Sequence, residues 1–247
     1  MESTMAESAA PALEVSVVIP AYNEVEAIGP LLDELIGVLE GLGRPWQVIV
    51  IDDGSTDGTA TYLRRRQEVT AGLVVVTQAP NRGQSAAFAA GFAAAGGDVV
   101  VTMDADGQND PADIPRVLAA MEGYDAVFGV RADRQDPWLR TFAQRVANLV
   151  RNRLLGSVYQ DVGCSLKAFR RELIQGVTIE HGFHRFFPYL VEIAGGRGIE
   201  VDVNHRPRSL GVSKYSPLGR GLPAFRDLLK VRRLKKQAAS RETAAPR

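Results

Sequence analysis

Cysteine is nearly absent from the 247-residue chain. Cys164 stands alone, so no internal disulfide can form, and a reducing compartment is expected. Net charge is absent too. The 29 Lys and Arg balance the 29 Asp and Glu, which removes any overall pull toward nucleic acid, and no such partner is expected. No apolar run approaches the roughly 20 residues that span a bilayer. Residues 1–14 lack the basic start and apolar stretch of a signal peptide. They read as a disordered lead, and the expected location is cytoplasmic. What is present is an ordinary soluble composition, 45% apolar and 23% charged, long enough for one large domain or two small ones.

Five apolar runs punctuate the first half: Val15–Ile19, Val48–Ile51, Leu73–Val76, Val99–Met103 and Ala126–Val130. Between them Ile28, Leu31, Leu32, Leu35, Val38 and Leu39 repeat at helical spacing. Thr59–Val69 and Gln84–Ala95 are shorter helix candidates. Alternating strands and helices predict a three-layer α/β/α sandwich, Rossmann-like, with a mainly parallel sheet. The Ala-rich Ala86–Ala95 is expected to pack small side chains closely on that sheet.

In such sheets ligands gather beyond the carboxyl ends of the strands. Strand one ends in Pro20-Ala21-Tyr22-Asn23-Glu24. Strand two ends in Asp52-Asp53-Gly54-Ser55-Thr56-Asp57-Gly58. Strand three leads to Asn81-Arg82-Gly83, and strand four to Asp104-Ala105-Asp106-Gly107-Gln108. Glu24, Asp52, Asp53, Asp104 and Asp106 therefore share one edge. Carboxylates crowded together repel and require a cation or a donor-rich ligand, such as ribose hydroxyls or a base N–H. Asp104 and Asp106, one residue apart on a loop, suit a hard divalent ion, Mg2+ or Mn2+. The competing role for these residues is a turn that caps the next helix. Asp57 reads as a cap for the helix at Thr59, and Asp53-Gly54 could be a plain turn.

Taken in order, Val17-Val18-Ile19-Pro20-Ala21-Tyr22-Asn23-Glu24, Asp52-Asp53-Gly54-Ser55-Thr56-Asp57-Gly58-Thr59, Asn81-Arg82-Gly83 and Asp104-Ala105-Asp106-Gly107-Gln108 resemble the inverting family 2 glycosyltransferases of the GT-A fold, over roughly residues 15–130. The resemblance implies a nucleotide pocket lined by Pro20, Ala21, Tyr22, Glu24, Asp52, Asp53 and Asn81. It implies metal and diphosphate held at Asp104 and Asp106, with Gln108 assisting. Gly129-Val130-Arg131, the helix Pro137–Leu155, Asp161-Val162-Gly163-Cys164-Ser165-Leu166-Lys167, His184-Arg185-Phe186-Phe187-Pro188, and His205-Arg206-Pro207-Arg208 followed by Gly211-Val212-Ser213-Lys214-Tyr215 are similar to the polyprenyl-phosphate sugar synthases, the group of dolichyl-phosphate mannose synthase, over about 129–216. Gln108-Asn109-Asp110-Pro111 departs mildly from that group's Gln-Asp-Pro pattern. The implied reaction moves a hexose from a nucleotide-diphosphate sugar to a polyprenyl phosphate.

A phosphate monoester has a second pKa near ~6 and attacks without a strong base, but it needs a positive cradle. Arg131 at the end of strand five and Arg145 are the expected cradle, with Asn148 beside them. On the helix 137–155, Trp138, Leu139, Phe142, Val146, Leu149 and Val150 form an apolar arc, with Arg140 and Arg151 expected opposite it in solvent. Arg208, Ser213 and Lys214 are expected in a loop that closes over the diphosphate. His205 is a weaker site candidate, His184 can be structural, and Cys164 is expected in the core. Two other readings compete. A hydroxyl acceptor would require a carboxylate base, for which Glu192 and Asp161 are the obvious candidates. A silent nucleotide-sugar-binding protein would be expected to lack the Asp pair or the Arg/Lys set, and all are present.

The organisation expected is a lead (1–14), a GT-A domain (15–216, with a nucleotide half 15–103 and an acceptor half 104–216) and a basic tail (217–247). From Arg220 onward nine Lys and Arg face two acids. Leu222, Phe225, Leu228, Leu229 and Leu234 alternate with Arg226, Lys230, Arg233 and Lys236, a basic amphipathic pattern suited to an anionic membrane surface. A peripheral enzyme on the cytosolic face, aided by an integral membrane partner, is the expectation; a helix packed on the body is the alternative.

Overall fold

The computed structural model describes residues 15–132, 148–157, 159–175, 179–180, 182–207 and 221–244. Seven strands form one sheet: β1 (Val15–Ala21), β2 (Trp46–Asp52), β3 (Leu73–Thr77), β4 (Val99–Thr102), β5 (Ala126–Arg131), β6 (Lys167–Arg170) and β7 (Gly198–Val203), in the order β3-β2-β1-β4-β6-β5-β7. Strand β6 alone runs against the others, pairing antiparallel with β4 and β5. The helices are α1 (Val25–Glu40), α2 (Thr59–Val69), α3 (Gln84–Ala94), α4 (Ile114–Ala119), α5 (148–155), α6 (Arg171–Gln175), α7 (Phe187–Ile193) and α8 (Gly221–Ala244).

The central strands are apolar throughout because both faces are covered. Val17 and Ile19 of β1 enter one core with Ile28, Leu32 and Leu35 of α1. Val18 between them points to the opposite core, with Phe88 and Phe92 of α3 and Phe169 of β6. This is the three-layer, mainly parallel arrangement that the sequence predicts. The small residues of α3 do bring it close to the sheet. A Cβ built at Gly91 would run into Val18 Cγ1 and Ile51 Cδ1.

Strands β6 and β7 are not among the predicted runs. The first is four residues long, and the second, Gly-Ile-Glu-Val-Asp-Val, alternates at a sheet edge. Of the expected arc, Trp138, Leu139, Phe142 and Val146, with Arg140 opposite, lie outside the described residues; over 148–155 the structure corrects it. Leu149 is 68% exposed and Val150 43%. Arg151, expected in solvent, donates from Nε to Tyr189 Oη (3.0 Å) and from Nη2 to the Tyr159 carbonyl (2.9 Å). The polar ends of two buried tyrosine-bearing segments draw that face inward, which apolar periodicity cannot register.

Helix α8 also lies on the body. Leu228 and Val231 are buried, and Lys235 Nζ meets Glu192 Oε2 and Ser157 Oγ at 2.6 Å each. Its outer face keeps Phe225, Leu229, Arg226, Arg233 and Lys236 exposed. Part of the apolar set expected to meet a membrane therefore serves the core.

Candidate active site

The loops at the carboxyl edge are tied to one another by their own acidic side chains. Strands β1 and β2 run in register, Ala21 beside Asp52, so the first two loops start side by side. Asp52 is buried and accepts from the Ser55 amide (3.1 Å). Asp53 spends both carboxylate oxygens on the next loop, accepting from the Arg82 and Gly83 amides at 2.8 Å each. Asn81 Nδ2 returns a bond to the Asp53 carbonyl (2.9 Å). Asp53 and Asn81, both expected to contact nucleotide, thus also fix the entry to α3. Asn23 adopts a left-handed φ of 54° beside Tyr22 and accepts from the Thr56 amide (2.6 Å), joining the β1 and β2 loops. Asn tolerates that conformation better than most residues. Asp57 accepts from the Thr59 amide and from the Val25 amide, so it serves the starts of α2 and α1 together. Burial pushes its pKa up, but hydrogen bonds from Thr59 and Val25 outweigh this and hold it below the usual value.

At the end of β4 the carboxylate pair lies on a turn that requires Gly107, φ 73°. Asp104 Oδ1 accepts from Gln84 Nε2 (2.8 Å), the first residue of α3. The Gln108 amide donates to Asp106 Oδ1 (3.1 Å). Asn109, buried, accepts from the Asp104 amide and from Ser165 Oγ. Burial, then the neighbouring charge of Asp106, pushes the Asp104 pKa up to about 6; Ser165, Lys167 and Arg131 pull the other way. The fold therefore disfavours the charged form of Asp104 beside a second carboxylate. That donor set fits a hard divalent cation. Among the described residues no group of three or more His, Cys, Asp or Glu converges as a metal cluster.

The second half of the chain contributes three charged groups beside this turn. Arg131 forms a two-pronged pair with Asp161, Nε to Oδ2 at 2.7 Å and Nη2 to Oδ1 at 2.8 Å, and both side chains are largely buried. Burial opposes the arginine charge, and Asp161 more than offsets it, raising the pKa. The close approach needs Gly163, where a Cβ would sit 3.1 Å from Arg131 Nη2. The third group, Lys167, belongs to a motif quoted from the sequence but is not singled out by it. It opens β6, which reaches this edge only because it runs antiparallel. Burial pushes its pKa below the lysine norm, against the pull of Cys164, Asp161 and Asp104. Cys164 is buried in the core, as expected, and burial raises its thiol pKa.

Beyond Gln108 the chain is clamped to residues 204–207. The Arg206 amide donates to the Gln108 carbonyl (2.9 Å), Gln108 Nε2 lies 3.4 Å from His205 Nε2, and the Arg206 guanidinium bridges Glu34 and Asp110. His184 Nδ1 lies 2.8 Å from Ser85 Oγ, next to Gln84, which supports a structural role. Arg145, Arg208, Ser213 and Lys214 lie outside the described residues, as do residues 1–14. Pro20 and Tyr22 lie at the edge itself, and Glu24 opens α1, its amide bonded to Thr59 Oγ1 (2.9 Å). Glu192 and Asp161, the two possible bases, are both engaged. Glu192 accepts from Ser157 Oγ, Tyr159 Oη and Lys235 Nζ.

A mainly parallel sheet with acidic loops at its carboxyl edge, crossed by one antiparallel strand, defines a GT-A-type protein. The model of the family described as glycosyl transferase family 2 matches residues 16–178, and the chain belongs to that family. Among curated relatives it is 41% identical, over 210 residues, to the undecaprenyl-phosphate 4-deoxy-4-formamido-L-arabinose transferases of Salmonella paratyphi A and Salmonella enteritidis. The match covers 84% of this chain and 64% of each relative, so the chain spans less than two thirds of their length. Among solved structures, glucosyl-3-phosphoglycerate synthase from Mycobacterium tuberculosis, in complex with Mn2+, UDP and phosphoglyceric acid, is similar in fold. Its TM-score is 0.64 at 23% identity, covering 89% of this chain and 77% of that one. A second mycobacterial protein matches with TM-score 0.60 and 27% identity, covering 80% and 69%.

Proposed function

We propose that the chain transfers a glycosyl group from a nucleotide-diphosphate sugar to a polyprenyl phosphate, with inversion, using Mg2+ or Mn2+ at Asp104 and Asp106. The observation that carries this choice of acceptor is the state of the two possible bases. Asp161 is locked to Arg131 and Glu192 to Tyr159, Ser157 and Lys235. A hydroxyl acceptor needs a free carboxylate near the reacting carbon, whereas an ionised phosphate does not. The names of the Salmonella relatives support the same acceptor. Their sugar is an arabinose derivative, so the transferred unit is proposed as a glycosyl group rather than specifically a hexose.

In this reading Asp52 and the loops pinned by Asp53 and Asn81 border the nucleotide. Gln84 holds Asp104 in place, and Asp106, Gln108 and Asp104 form the face toward the diphosphate. A bound divalent ion supplies Lewis-acid stabilisation of the leaving diphosphate. Arg131 brings positive charge to the acceptor side, and Arg145, Arg208, Ser213 and Lys214 are proposed to complete the phosphate contacts. The exposed Leu149 and Val150 offer apolar surface for a lipid chain, and Phe225, Leu229, Arg226, Arg233 and Lys236 a basic, partly apolar face for an anionic membrane. A peripheral position on the cytosolic face, with an integral membrane partner, is part of the proposal. No helix among the described residues is long and apolar enough to cross a membrane.

The test offers radiolabelled nucleotide sugars, with Mn2+ or Mg2+, to polyprenyl phosphate, free polyprenol and a saccharide in parallel. Label in the phosphate lipid alone is expected. Incorporation into polyprenol or saccharide, with none into the phosphate, would overturn the acceptor.

A further inference from the structure

Lys167 is the only Lys or Arg in the buried set, 2% exposed, among the described residues. In the sheet it lies between Thr102 of β4 and Phe128 of β5. Thr102 precedes Asp104 by one pleat, and Phe128 lies three residues before Arg131. The charged groups that reach it are Asp161, Asp104 and Arg131, with Cys164 beside them. Among the described residues no protein acceptor pairs with its Nζ, and Nζ is not one of the polar atoms sealed from solvent without a partner, so the ammonium keeps contact with the edge. The nearby acceptors are in use: both Asp161 oxygens bind Arg131, and Asp104 Oδ1 binds Gln84.

An ammonium drawn away from bulk water is stabilised by a counter-charge and by oxygen acceptors. Lysine carries three donors and acts as a compact point charge. An ammonium carried on a buried stem to this edge of the sheet, beside Asp104 and Arg131, is complementary to an anion rich in oxygen acceptors. We propose that Lys167 contacts phosphate in this site, donating to a phosphoryl oxygen that enters between Asp104 and Arg131. The inference rests on the proposed function only for which phosphate this is: the lipid monoester of the acceptor or the diphosphate of the donor.

The full chain and its Lys167→Met and Lys167→Arg variants are titrated calorimetrically with farnesyl phosphate and, with Mn2+ present, with UDP; melting temperature is recorded alongside. A loss of about tenfold or more in affinity for either ligand is expected for Lys167→Met, largely regained in Lys167→Arg. A loss confined to farnesyl phosphate assigns the acceptor, and one confined to UDP the donor. A lysine that merely neutralised Asp104 and Asp161 would change the melting temperature and leave both affinities alone; that result overturns the proposal, as does a wild type that binds neither ligand. If Lys167→Met does not fold, Lys167→Gln is judged by the same limits. Lys167-dependent binding without glycosyl transfer would remove the proposed function and keep this assignment. Transfer and binding unaffected by Lys167→Met would do the reverse.

Discussion

Single side chains here divide between chemistry and scaffolding, and substitutions separate the two. Asp104 is half-buried beside Asp106, with its pKa pushed up to about 6. Replacing it with Asn removes that repulsion, so the melting temperature of metal-free protein is expected to stay level or rise. Glycosyl transfer is expected to fall by about 10²–10³, the scale seen when a charge-stabilising group is lost. Parallel melting and initial-rate measurements check both halves; a large drop in melting temperature would assign Asp104 to stability. Asp53 is the opposite case. Asp53→Ala leaves the Arg82 and Gly83 amides without their acceptor and is expected to cost about 2–4 kcal/mol of stability. Asp53→Asn keeps one acceptor oxygen and should cost less, which urea unfolding would resolve.

At the scale of elements, α3 packs closely on the sheet at Gly91 and holds Asp104 through Gln84 at its start. Gly91→Ala forces a methyl group against Val18 and Ile51. Overpacking of this kind costs about 1–3 kcal/mol, and each kcal/mol lowers the melting temperature of a domain this size by about 2–4 °C. A melt unchanged by Gly91→Ala would mean that α3 is free to shift outward. Strand β6 is the second deciding element: reversing direction between β4 and β5 brings Lys167, rather than the strand's far end, to the ligand edge.

For the whole molecule, the proposed lipid acceptor has to reach the carboxyl edge of the sheet. Truncating α8 is a poor probe, because Leu228 and Val231 belong to the core. Substituting Phe225 and Leu229 by Ser, with Arg226, Arg233 and Lys236 changed to Glu, leaves that packing intact. Flotation with anionic liposomes is expected to be strong for the parent and weak for the variant, and to weaken with added salt. Equal flotation of both would reject membrane docking through this face. Metal removal by EDTA is expected to abolish transfer, with recovery on adding Mn2+ or Mg2+; full activity in EDTA would reject the metal reading.

The apolar runs and their helical intervals by themselves determined the sheet's first five strands, the helices α1 to α3 and the edge at which the acidic loops gather, because burial on both faces writes itself as continuous Val and Ile. Periodicity also erred where polar contacts overrode it, as at Arg151 and Leu149. Only the tertiary structure decided which acids are engaged and with what: Asp53 with the Arg82 and Gly83 amides, Asp161 with Arg131, Glu192 with Lys235. It also decided that Lys167 stands opposite Thr102 at the carboxyl end of β4. Those outcomes depend on contacts between residues distant in the chain, whose energies are set by geometry and solvent exclusion that no local pattern encodes.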